Sequence, residues 1–296
     1  MQRLTRRQML AGSACGLAAL ASTQFVVAGD AAKEPAVGAT PRFKFGACDW
    51  SLGQRRKPTA FAEAEKIGLD GVEVSFGQPG QPYDLRSKSV RQEYQEACRS
   101  RGLEIASLAM GELNQIPYAS DPRTEQWVAD VVDVMPELGV KCCLLAFFGN
   151  GDIQGDRAKQ DEVIRRLRKV APRAEAAGVV LGVESWMNVD EHLRILDAVD
   201  SPSVQVYYDV ANMTKRGYDI GHEIRRLGRE RICQMHMKEN GQLLGKGVVD
   251  FAAVKDAIEA IDYEGWLIIE GATVSGRSLT DCYRYNLDFL KSLLEV

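Results

Sequence analysis

Histidine is scarce in this chain: three occur in 296 residues, and two of them, His192 and His222, fall in helix-like stretches and are expected at the surface. So few imidazoles exclude a histidine-rich cluster of several zinc ions. The seven cysteines form no CxxC pair, and Cys142 and Cys143 are adjacent, which excludes a dithiol redox motif and a zinc ribbon. Positive charge is in deficit too, with 37 Lys and Arg against 41 Asp and Glu for a net charge of −4. An acidic chain is poorly suited to a nucleic-acid backbone. No GxGxxG follows the first candidate strand, so the dinucleotide fingerprint is absent. What remains is 45% hydrophobic and 26% charged, the composition of a globular protein with a sizeable core.

The N-terminus has its own logic. Thr5-Arg6-Arg7-Gln8-Met9-Leu10 precedes a weakly apolar, alanine- and glycine-rich stretch from Ala11 to Ala28. Paired arginines before such a segment resemble a twin-arginine export signal, with an ordinary secretory signal or a cytosolic extension as the plainer alternatives. Ser13, Ser22, Thr23 and Gln24 make the stretch too polar for a stable membrane span. Residues 1–28 are therefore read as a signal cleaved near Ala28, 29–42 as a disordered lead-in, and 43–296 as the working domain, exported and carrying no membrane span. Cleavage there removes three arginines and no acid, taking the net charge from −4 to −7. The cysteines that remain sit mostly in apolar segments, as small core residues do.

From Phe43 onward short apolar runs alternate with amphipathic stretches, the pattern of a parallel sheet with helical crossovers. Candidate strands begin at Phe43, Gly71, Glu104 and Lys141, and continue at Val179, Val204, Ile232 and Trp266. Val163, Leu167, Val170, Ala171, Ala174 and Ala177 keep a helical period, and Asp250 is placed to cap a helix through Phe251, Val254 and Ile258. Glycines recur where helices end: Gly68, Gly102, Gly139 and Gly178. Eight such units close a single (β/α)8 TIM barrel, whose functional groups belong at the C-terminal ends of the strands.

The last four strands each end in one potential hard-metal ligand: Glu184, Asp209, His236 and Glu270. Parallel strands would bring these ends to one pocket. Three carboxylates and an imidazole suit an octahedral divalent cation with room left for substrate oxygens. Glu73 is expected to point inward with Ser75, as a substrate ligand or second acid/base or else as a buried hydrogen bonder. Trp50, Phe147, Phe148, Trp186 and Tyr208 are candidates for an apolar wall against a sugar face.

At these positions the chain resembles the xylose isomerase-like TIM barrels, which include sugar phosphate isomerases and epimerases. The resemblance rests on Val183-Glu184-Ser, Tyr208-Asp209-Val-Ala-Asn212, Met235-His236-Met-Lys238-Glu239, Gly245-Lys-Gly247 and Ile269-Glu270-Gly271, with Gly68-Leu-Asp-Gly-Val-Glu73 upstream. It implies one Mn²⁺, Mg²⁺ or Co²⁺ ion, Mn²⁺ first, on Glu184, Asp209, His236 and Glu270. It implies also that Glu184 and Glu270 exchange protons with substrate carbon. A cation on a carbonyl acidifies the neighbouring C–H, and a carboxylate on each face can remove and return the proton through an enediolate. Two departures stand out. Asn212 occupies a position where ketose epimerases carry histidine, and Lys238 takes the place of an arginine as a candidate for substrate oxygens.

The expected function is a divalent-metal-dependent sugar isomerase or epimerase, with a carbohydrate as partner and no nucleic acid. Glu73, Trp186, Asn212 and Lys238 are the expected substrate contacts. The alternatives are a 3-keto-glycoside or keto-cyclitol lyase using the same proton abstraction, and a non-catalytic sugar-binding protein. Assembly into a homo-oligomer stays open.

Overall fold

The computed structural model describes residues 41–296; the signal expected at 1–28 and the lead-in as far as residue 40 lie outside the described residues. Eight parallel strands close into a barrel in sequence order. They are β1 Phe43–Cys48, β2 Gly71–Ser75, β3 Glu104–Met110, β4 Cys142–Phe147, β5 Val180–Ser185, β6 Val204–Asp209, β7 Ile232–Lys238 and β8 Gly265–Glu270. Pairing of β1 with β8, from Phe43 opposite Gly265 to Ala47 opposite Ile269, makes the closure. Arg42, expected in the lead-in, is among the described residues and is tied to the barrel. The Arg42 carbonyl accepts from Gly265 N–H at 2.9 Å, and Arg42 Nε donates to the Tyr263 carbonyl at 3.1 Å.

Two cores follow from strand alternation. One face of each strand packs against the surrounding helices: α1 Ala60–Ile67, α2 Lys88–Arg99, α3 Arg123–Leu138, α4 Arg157–Ala177, α5 Val189–Val199, α6 Val210–Lys215, α7 Ile220–Leu227, α8 Phe251–Ala260 and α9 Leu279–Leu294. The other face fills the barrel with Cys48, Ala106, Ala109, Cys142, Leu144, Ala146, Tyr207 and Ile268. These residues are mostly small because Tyr207 crosses the interior. Gly182 is part of that fit, since a Cβ there would stand 2.6 Å from Cys233 Sγ and 3.1 Å from Tyr207 Cβ.

Helix ends obey local chemistry. Gly68, Gly139 and Gly178 close α1, α3 and α4 in the left-handed conformation. Asp250 caps α8 by accepting from Ala253 N–H. His192, expected at the surface, is buried on α5, with Nε2 3.1 Å from Ser185 Oγ. It lies on the stripe of Val189, Ile195, Leu196 and Val199 that packs inward. His222 is exposed as expected. No helix among the described residues is long and apolar enough to cross a membrane.

Candidate metal and active site

Glu184, Asp209, His236 and Glu270 converge at the C-terminal mouth of the barrel, each offering a ligand atom within 4.8 Å of all the others. The strand rule explains why. The side chains leave β5, β6, β7 and β8 on the inner face, and register places Asp209 opposite His236. His236 is oriented from below: its Nε2 lies 2.9 Å from Glu73 Oε1, while its Nδ1 lies 3.0 Å from Glu184 Oε1 and 3.3 Å from Glu270 Oε2. A proton on Nε2 donated to Glu73 turns the Nδ1 lone pair toward the three carboxylates.

Asp209 has two tasks. Its Oδ1 caps α6, accepting from Ala211 and Asn212 N–H at 2.8 Å each. Its Oδ2 is buried and accepts no hydrogen bond among the described residues; Lys238 Nζ stands 3.3 Å away. Glu270 is held from both sides, by the Trp50 indole N–H at 2.9 Å and by Lys238 Nζ at 2.8 Å.

Charge in so dry a place is redistributed. Burial pushes the Glu184 carboxyl up to about 7 against the pull of His236. Burial also opposes ionisation of Glu270, but His236, Lys238 and Trp50 outweigh it and hold this carboxyl at about 2. For His236, burial disfavours the charged ring, yet Cys48, Glu184, Glu270 and Glu73 together raise its pKa. The residues fit a divalent cation. Three carboxylates and an imidazole nitrogen are a hard donor set, the histidine is pre-oriented, and a buried carboxylate oxygen is left without a donor. Binding an ion would release the protons these groups share.

A cavity of about 300 Å³ opens over this group. Trp186, Asn212 and Lys238, expected as substrate contacts, line it with Glu184 and Glu270. Glu73 does not. It is fully buried beneath His236, with Oε2 accepting from Ser107 Oγ at 2.6 Å and the Tyr207 hydroxyl at 2.7 Å. Its place is that of the buried hydrogen bonder, and the substrate-ligand alternative is set aside because both oxygens are occupied away from the cavity. Of the aromatic wall, Trp50, Phe148 and Trp186 line the cavity. Phe147 and Tyr208 face the helices instead, Phe147 edge-to-face with Tyr118 and Tyr208 bonded to Glu223 at 3.1 Å.

Some residues of the site escaped the sequence reading. Asp49, just past β1, takes the Ser75 N–H at 2.9 Å and the Ser75 hydroxyl at 2.7 Å, tying the β1 and β2 ends together. Arg55, Glu112 and Asn114 reach the cavity from the segments after β1 and β3. The rule that strand ends carry function marked those segments, but β1 closes on Cys48 and β3 on Met110, neither of them a hard oxygen or imidazole ligand. Glu239, in the motif beside Lys238, accepts from Val248 and Val249 N–H at 3.3 and 3.1 Å and so shapes the loop before α8.

Residues 61–293 match the family model of the xylose isomerase-like TIM barrel. The chain belongs to that family. A 2-epi-5-epi-valiolone 7-phosphate 2-epimerase from Actinoplanes sp. is 26% identical over 211 residues, 69% of this chain and 77% of that protein. A D-psicose 3-epimerase from Enterocloster bolteae is 28% identical over 250 residues, 77% of this chain and 81% of that protein. In fold, the chain is similar to the crystal structure of a D-psicose 3-epimerase from Clostridium cellulolyticum with D-tagatose. The TM-score is 0.74 at 20% identity, covering 86% of this chain and 100% of that one.

Proposed function

We propose that this protein is a divalent-metal-dependent sugar epimerase that inverts a carbon beside a carbonyl by removing its proton and returning one to the opposite face. The observation that carries the reading is that two glutamates from different strands, Glu184 and Glu270, belong to one four-residue ligand group and line one cavity. Epimerisation needs two proton-carrying groups, and a single base would return the proton to the face it left. Family membership and the epimerases among the relatives support the same reading.

The ion, Mn²⁺ first with Mg²⁺ or Co²⁺ as substitutes, would be held by Glu184, Asp209, His236 and Glu270 and would supply Lewis-acid polarisation of the substrate carbonyl. Glu184 and Glu270 take and return the proton, one from each side of the sugar. Lys238, braced by Glu270, offers its remaining N–H bonds to substrate oxygens, and Asn212 offers its side-chain amide. Trp50, Phe148 and Trp186 give the sugar's apolar face a surface to lie on. The paired Arg6 and Arg7 support export by the twin-arginine route, which places the working enzyme outside the cytoplasm.

Incubation with a panel of ketoses in deuterium oxide tests the proposal. The expected result is deuterium at the inverted carbon, lost in both Glu184→Gln and Glu270→Gln. Undiminished exchange in either variant would remove its glutamate from the mechanism. Release of an aglycone from 3-keto-glycosides, with no epimer formed from any sugar, would replace epimerisation by elimination.

A further inference from the structure

The cavity is lined by two chemically different sides of the barrel mouth. Glu184, Lys238 and Glu270 come from the ends of β5, β7 and β8; Arg55, Glu112 and Asn114 come from the segments after β1 and β3, and make the second end. At the second end Arg55 has neither a hydrogen bond nor an ion pair among the described residues. Its Nη2 lies 3.6 Å from the point where a Cβ on Gly111 would stand, an ordinary contact distance that sets the guanidinium beside Gly111 in the cavity wall. Asn114 Oδ1 accepts the Phe148 N–H at 2.8 Å. That bond fixes the amide and leaves Nδ2 as a donor with no partner among the described residues.

Glu112 does not pair with Arg55: its Oε2 is buried without a hydrogen-bond partner among the described residues, and burial raises this carboxyl's pKa against the pull of its own backbone N–H, Arg55, Arg56 and Arg86. Arg56 is engaged with Gln81, and Arg86 with Asp84 and Asp130. Ser75 commits its hydroxyl to Asp49. The wall therefore presents donors and an unpaired positive charge, opposite an end rich in carboxylates.

We propose that Arg55 and Asn114 form a subsite for an anionic oxygen group on the substrate, a carboxylate or a phosphate ester, at the end of the sugar remote from the reacting carbon. A guanidinium meets such a group through two parallel hydrogen bonds, and a neutral hydroxyl offers no equivalent. The proposal rests on the reading of the cavity as a sugar site.

Trp50 and Trp186 in the cavity wall make tryptophan fluorescence a direct binding signal. Metal-loaded protein is titrated with a neutral ketohexose, its 6-phosphate and the corresponding keto-uronate. At least one anionic sugar should bind about tenfold or more tighter than the neutral one, the scale of a charge-assisted hydrogen bond. Arg55→Ala should erase that advantage while weakening the neutral sugar far less, Arg55→Lys should keep part of it, and Glu112→Gln should keep it. Whichever anionic sugar gains more identifies the group as phosphate or carboxylate. Equal binding of neutral and anionic sugars by the wild type overturns this proposal alone, as does an Arg55→Ala variant that weakens both alike. Failure of every sugar to bind overturns it together with the epimerase reading.

Discussion

Replacing Glu73 with glutamine tests how the metal-facing histidine is held. Glu73 is fully buried, with Oε1 2.9 Å from His236 Nε2 and Oε2 within 2.7 Å of the Ser107 and Tyr207 hydroxyls. Glutamine keeps the shape but removes the charge and turns one acceptor into a donor. If its oxygen faces His236, its amide meets two hydroxyls that must each turn their own protons away. A carboxylate partner makes a ligating imidazole more basic, and losing such a partner costs about 10–100-fold in metal affinity. Alanine removes more. It strands three strong buried donors at about 1–3 kcal/mol each, together with the weaker Cys48 thiol 3.5 Å away, and after relaxation the loss should be about 3–5 kcal/mol, as for other broken buried ionic clusters. Calorimetric titration with Mn²⁺ reads the first effect, and urea unfolding of the metal-free protein reads the second. Glu73→Gln should bind Mn²⁺ about 10–100-fold more weakly, with a smaller stability loss than Glu73→Ala. Wild-type Mn²⁺ affinity in Glu73→Gln would refute the argument that this carboxylate tunes His236.

Two further outcomes test the frame around the site. Burial lowers the His192 pKa from 6.5 to about 4. Between those values the unfolded chain holds a proton that the native one does not, so this residue's contribution is present above pH 6.5 and is lost as pH falls toward 4, by about 3 kcal/mol at most. Urea unfolding of wild type and His192→Gln across that window should give different pH slopes, and identical slopes would sink the assignment. Gly182→Ala should destabilise by about 1–3 kcal/mol, because its Cβ would stand 2.6 Å from Cys233 Sγ. Adding Cys233→Ala should recover part of that loss, whereas strictly additive losses would show that the crowding lies elsewhere.

The strand ends were readable because alternation is a strict rule, and four ligands fell on the same side of four consecutive strands. The same rule, applied further, places Tyr208 on the face opposite Tyr207 and Asp209, and Phe147 opposite Ala146; its neglect put both aromatics wrongly in the sugar wall. His192 was legible too. It sits three residues after Val189 and four before Leu196, on the stripe that α5 buries. Glu73 could be placed inside the barrel but not in depth. Whether an inward carboxylate faces the cavity or the floor depends on how far its strand rises, which pairing register decides and periodicity does not. Arg55, Glu112 and Asn114 depend on the paths of loops after β1 and β3, and no repeating pattern encodes those paths.

Metal content of the purified protein bears most directly on the central claim. Elemental analysis after loading with Mn²⁺ should find a single tightly held ion per chain, and Asp209→Asn and His236→Ala should each lose it while keeping the barrel's circular dichroism. A wild-type protein that retains no divalent ion, or folded variants that retain it undiminished, would contradict a metal centre on Glu184, Asp209, His236 and Glu270.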